Sequence, residues 1–125
     1  MKIATQIARY LLGLIFLVFG LNGFLHFIPM PPPEGLAAQF FGALYASGYL
    51  TVIMLLQVVG GAILLTGVYV PLALTILGPV IVNILLFHIC MAPAGLPLAI
   101  FVTFLWFIVW SGCRTAFSGI FTRTV

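Results

Sequence analysis

Between Arg9 and Arg114 the chain carries a single charged side chain, Glu34. No other feature limits the fold as severely. Charged residues are 4% of the 125 and hydrophobic ones 65%, whereas soluble domains carry about 25% charged residues. A water-facing surface cannot be covered with so few charges. The expected solvent is lipid, and the expected class is an all-α integral membrane protein.

A helix needs about 20 residues to cross the hydrocarbon core. Four apolar runs meet that length, at about 7–27, 49–66, 71–91 and 96–112. The breaks between them have local causes. "IPMPPPEG" cannot continue a helix, because proline lacks an N–H and clashes with the preceding turn. "TGVYVP" places Pro71 in a first turn, where proline is tolerated. "APAGLP" reads as a short turn. Short connections imply an antiparallel four-helix bundle, with 1–125 as one transmembrane domain. Residues 34–46 are too short to span. Leu36, Phe40, Phe41 and Leu44 recur there at helical spacing beside Gln39, which predicts a short interfacial helix between the first two spans. Lys2 and Arg9 before an apolar run resemble a signal peptide, but no small-residue cleavage pattern follows, so the run is read as a retained helix.

The four basic residues are Lys2, Arg9, Arg114 and Arg123. They form no stripe or patch for nucleic acid. With four spans they all fall on one side, opposite Glu34, and the positive-inside rule makes both termini cytoplasmic. Cys90 and Cys113 fall at opposite ends of their spans, roughly 30 Å apart, and a disulfide needs Cα atoms within about 7 Å. They are not expected to pair. Cys90 is either an outward-facing thiol or a small buried hydrophobe.

Polar side chains inside spans are costly and often mark function. At about 1.5 Å per residue, Asn22, Gln57, Asn83 and Thr103 lie at one level, roughly 8–12 Å from the outer ends of their spans. His26 and His88 form a rim above. At about 100° per residue Asn22 shares a face with His26, and Thr103 with Trp106, Phe107 and Trp110. Asn83 and His88 diverge by about 140°, unless a kink at Pro79 rotates the end of the third span. The layer is read either as a ligand site, with the aromatic stripe as its lining, or as hydrogen-bonding glue between helices. His26, His88, Cys90, Met30 and Met91 gather near the outer surface and form a third candidate: sulfur and imidazole suit copper(I), and two histidines suit a haem.

The stretches "ARYLLGLIFLVFGLNGFLHFIPMPPP", "QVVGGAILLTG" and "VPLALTILGPVIVNILLFHI" together resemble the DoxX family of small four-helix membrane proteins. The resemblance covers about 8–97 and is most specific from Pro71 to Ile89. Relatives often carry an acid where this chain has Gln57 and a basic residue near Val68. The resemblance implies a bacterial-type cytoplasmic (inner) membrane and an association with membrane redox chemistry. One branch resembles the membrane subunit of a thiosulfate:quinone oxidoreductase. It therefore implies a quinone or similar apolar ligand, hydrogen-bonded by Gln57, Asn83 or His88 and flanked by Trp106, Phe107 and Trp110. The alternative is a non-catalytic assembly subunit, whose small-residue faces (Gly13 with Gly20, Gly60 with Gly61) would meet other membrane subunits or a second copy. No acid–base pair, phosphate loop or Ser-His-Asp set is present, so activity by the chain alone is not expected.

Overall fold

A computed structural model describes residues 2–124. Among them the chain forms five α-helices: α1 (Ile3–Leu25), α2 (Leu36–Ser47), α3 (Tyr49–Thr66), α4 (Val70–Cys90) and α5 (Leu96–Cys113). Short 3-10 turns at Pro93–Gly95 and Arg114–Phe117 flank α5. Four segments are long and apolar enough to cross a membrane: Ile3–Leu25, Tyr49–Thr66, Val70–Cys90 and Pro93–Phe117. Three of the expected spans match α3, α4 and α5 to within a residue or two. The first is displaced. It begins at Ile3 and ends at Leu25, so Arg9 lies almost two turns inside α1 instead of at its edge.

The corners follow from backbone chemistry. Gly48 adopts φ 79° and is at once the cap of α2 and the residue before α3. That left-handed conformation is cheap only for glycine, and it lets two helices meet without a loop. Gly67 does the same after α3, with φ 75° and its N–H donated to the carbonyl of Leu64 at 3.3 Å. Pro71 starts α4 in its first turn. Pro79 lies inside α4, which continues through it as one helix.

α1 packs most extensively on α3 and also on α5, while α4 packs on both α3 and α5. The four long helices thus close a ring. Lipid tails are as apolar as leucine, so burial alone does not drive these helices together; close packing and hydrogen bonds do. Close packing is most evident between α1 and α3. A Cβ built on Gly61 would stand 2.6 Å from the Leu17 nitrogen and 2.7 Å from the Gly13 oxygen, both backbone atoms. Gly13 in turn faces the Gly61 oxygen at 3.0 Å, and Gly20 faces the Val58 nitrogen at 3.0 Å. On the other side of α3, Gly60 is covered by Leu77 of α4. The large side chains that are completely buried (Leu12, Leu64, Leu74, Leu77 and Val109) gather in the half of the ring that also holds Arg9 and Gly67.

α2 contacts α3. Its Phe40 stacks on Phe87 of α4 at 5.7 Å between ring centroids, and its Phe41 meets the same ring edge-on at 5.0 Å. The helix expected at 34–46 therefore exists, but it starts after Glu34, because Gly35 turns the chain at φ 60°.

Candidate functional site

The four polar residues placed at one level are separated by the fold. Asn22 is buried, and its Oδ1 accepts the N–H of Ile28 at 2.7 Å. Its backbone oxygen accepts the N–H of His26 at 2.9 Å. Asn22 therefore ties down the chain leaving α1, which needs partners for its last carbonyls and for the N–H groups beyond them. His26 does not share the Asn22 face. α1 ends at Leu25, and His26 turns left-handed at φ 53° with its side chain exposed. Gln57 is buried at the contact with Gly20, and its carboxamide makes no hydrogen bond to another described side chain or backbone group. Asn83 is exposed and donates its Nδ2 hydrogen to the Pro79 oxygen at 2.9 Å. Thr103 is half-buried and donates to the Ala99 oxygen at 2.8 Å. Both bonds return to the residue's own helix, a common outlet for short polar side chains.

His88 is half-buried. Its Nδ1 lies 2.8 Å from the Ile84 oxygen; a carbonyl only accepts, so Nδ1 is the protonated nitrogen. The ring occupies the space where Gly95 lacks a side chain, with Nε2 2.3 Å from the position of an added Cβ. With Asn83 exposed and His88 half-buried on one continuous helix, α4 does not turn the two residues to a common face.

The aromatic stripe divides as well. Trp106 donates its Nε1 hydrogen to the Leu74 oxygen at 3.0 Å, joining α5 to α4. Trp106 and Trp110 pack against the buried core, whereas Phe107 is exposed and meets Trp106 edge-on. The two tryptophans are structural members of the ring. Trp106→Phe keeps the ring and removes the donor, so it should lower stability by about 1 kcal/mol, read as a shift in the midpoint of unfolding in detergent.

Cys90 is exposed and Cys113 half-buried, and both are free. Met30 and His26 are exposed and Met91 half-buried. Among the described residues no three His, Cys, Asp or Glu side chains come together as a metal-binding group. The small-residue faces offered for assembly are consumed within the chain, since Gly13, Gly20, Gly60 and Gly61 are all buried in helix contacts.

Arg9 is the residue whose role was not foreseen. It is buried in α1 at 8% exposure. Its guanidinium donates to the Leu64 oxygen and, at 3.4 Å, to the Leu65 oxygen. These carbonyls belong to the last turn of α3, where backbone acceptors lack α-helical partners, the Leu64 oxygen taking only the 3.3 Å bond from the Gly67 N–H, and the helix dipole is negative. The guanidinium carbon also sits 4.3 Å from the centre of the Tyr10 ring. The available signal was position: counted from Ile3, Arg9 is a cation inside a span, and such residues always need a partner.

A cleft opens at the α2 end of the ring, where Gly23 follows Asn22 and Met54 precedes Gln57 by three residues. It has a volume of about 310 Å³ and is lined by Gly23 and Phe24 of α1, Tyr45 of α2, and Leu50, Thr51 and Met54 of α3. A volume near 300 Å³ is at the lower end of small-molecule sites. The Tyr45 and Thr51 hydroxyls make no hydrogen bond to other described residues. Apart from Tyr45 the lining holds no titratable group. This arrangement suits binding and orientation, not proton transfer.

No family model, curated protein or solved structure matches the chain. These comparisons give the DoxX resemblance no support.

Proposed function

We propose that this is a DoxX-like, multi-pass protein of a bacterial-type cytoplasmic membrane, non-catalytic alone, that binds a quinone or similar apolar ring compound for a redox-linked membrane complex. The observation that carries the ligand reading is the α1–α2–α3 cleft: Phe24, Leu50 and a flexible Met54 beside the Tyr45 and Thr51 hydroxyls. Ligand sites combine apolar side chains with a few polar groups that fix orientation. Tyr45 and Thr51 would donate to the two oxygens of the ring, with Phe24 beside it. This replaces Gln57, Asn83 and His88 as the polar contacts. The redox link and the other subunits rest on the family resemblance.

The proposed topology is an antiparallel bundle with both termini cytoplasmic. Contacts along α1 and α3 support it: Gly13 meets Gly61, Gly20 meets Val58 and Gly23 meets Met54, so the numbers rise on one helix as they fall on the other. Lys2, Arg114 and Arg123 then flank the cytoplasmic ends, Glu34 lies outside, and α2 lies at the outer interface beside the cleft.

A short-tailed quinone titrated into the reconstituted protein tests the ligand. The double variant Tyr45→Phe, Thr51→Val should weaken binding about tenfold, the worth of two modest hydrogen bonds. Asn83→Leu, which changes an exposed group, should bind as the wild type does. Equal affinity in the double variant and the wild type would remove the cleft as the site.

A further inference from the structure

The larger cavity lies at the opposite end of the ring. Its volume is about 590 Å³, and it is lined by Lys2 and Thr5 at the start of α1 and by Ser111, Gly112 and Arg114 at the end of α5. We propose that it holds the phosphate of an anionic phospholipid headgroup.

Three observations lead there. The first is charge. Two of the four basic side chains, from opposite ends of the sequence, line one cavity, and the only acidic side chain in the chain is Glu34. Glu34 follows the far end of α1, whose 23 residues extend roughly 34 Å. The cavity therefore has no acidic side chain to balance it. The second is the supply of donors. The Thr5 hydroxyl donates to the Lys2 oxygen at 2.7 Å, and the Ser111 hydroxyl donates to the Ile108 oxygen at 2.6 Å. Lys2 and Arg114 remain as the groups that can donate to a guest, and both are exposed. A guanidinium matches phosphate with two parallel hydrogen bonds, and an ammonium adds a point charge.

The third observation separates a lipid from a free anion. Lys2 directly precedes one segment long enough to cross a membrane, and Arg114 lies three residues before the end of another, Pro93–Phe117; span ends are where headgroups lie. On α5, Ser111 is four and seven residues beyond Phe107 and Phe104, so the three share a face. Phe104 is 62% exposed and Phe107 56%. A charged cavity thus continues into an exposed apolar stripe, the order of groups in a phospholipid. The inference rests on the multi-pass reading and is independent of the quinone cleft.

The full chain, reconstituted in equal parts phosphatidylcholine and phosphatidylglycerol, tests it by counting retained lipids with native mass spectrometry. The wild type should retain phosphatidylglycerol preferentially. Each cation near an anionic headgroup contributes about fivefold, so Lys2→Gln with Arg114→Gln should lose roughly 25-fold of that preference. Gly112→Leu, which fills the cavity without changing charge, should lose it too, while Arg123→Gln should keep it. An unchanged preference in the double variant would overturn the proposal. So would inorganic phosphate binding as tightly as phosphatidylglycerol, which would assign the cavity to a soluble anion. Release of the wild type from membranes by alkaline carbonate would overturn the multi-pass reading itself and this proposal with it.

Discussion

Gly61→Val should destabilise the protein by about 3 kcal/mol, at the upper end of the usual cost of overpacking. The reason is the kind of atom in the way. The new Cβ would stand 2.6 Å from the Leu17 nitrogen and 2.7 Å from the Gly13 oxygen. A crowding side chain can rotate away; a helix backbone cannot. α1 and α3 would have to separate, and the contacts of Gly13 and Gly20 along the same seam would loosen with them. Gly42→Ala is the matched control. Gly42 lies within α2 with nothing within 4 Å of an added Cβ, so alanine should raise stability by about 0.5–1 kcal/mol through helix propensity. Thermal unfolding in detergent reads both. A Gly61→Val protein that melts with the wild type would mean that α1 and α3 do not approach so closely.

Arg9→Met should cost about 1.5–3 kcal/mol, the worth of hydrogen bonds from a charged donor. Methionine retains most of the aliphatic stem, so the change isolates the guanidinium from the packing of its methylenes. What is lost is the guanidinium donor to the Leu64 and Leu65 carbonyls; the Leu64 oxygen keeps only the 3.3 Å bond from the Gly67 N–H. Arg9→Lys should recover part of the loss, because an ammonium is a compact charge without the planar fork that spans two acceptors. Equal stability of the methionine variant and the wild type would show that Arg9 is dispensable to the end of α3. The same three proteins, compared by hydrogen exchange, should differ first around Leu64–Gly67, where the acceptors are.

The helices were legible in the sequence because lipid solvent leaves few alternatives. An apolar run of about 20 residues bounded by Gly and Pro has to satisfy its backbone internally, and α3, α4 and α5 fall where those breaks place them. α2 was legible from the spacing of Leu36, Phe40, Phe41 and Leu44. The glycine pairs signalled close approach, but not the partner: the contact lies inside the chain. The site was much less legible. Depth along a helix can be counted, but orientation depends on neighbours that an isolated helix does not reveal. Asn83 and Thr103 spend their hydrogen bonds on Pro79 and Ala99 of their own helices. Asn22 serves the chain beyond α1. The cleft escaped notice because five of its six lining residues are Gly, Phe, Leu, Thr and Met, types that occur throughout the chain. Only part of the role of Arg9 is legible in the sequence, because a cation near an N-terminus reports topology, whereas the bridge to the end of α3 depends on the fold.

The α1–α3 seam also bears on the order in which the protein is built. Its contacts are complete once Gly67 has been made: Gly13 on Gly61, Gly20 on Val58 and Arg9 on Leu64 all lie before that residue. Synthesis proceeds at about 5–20 residues per second, so several seconds separate the release of α3 from the arrival of α5. During that interval the first hairpin has everything it needs to close, and the Arg9 guanidinium can exchange headgroup water for carbonyls before the rest of the ring exists. Trp106 and its bond to Leu74 come last. The tightest interface is thus the earliest one available, and α4 and α5 are added to a pair already formed.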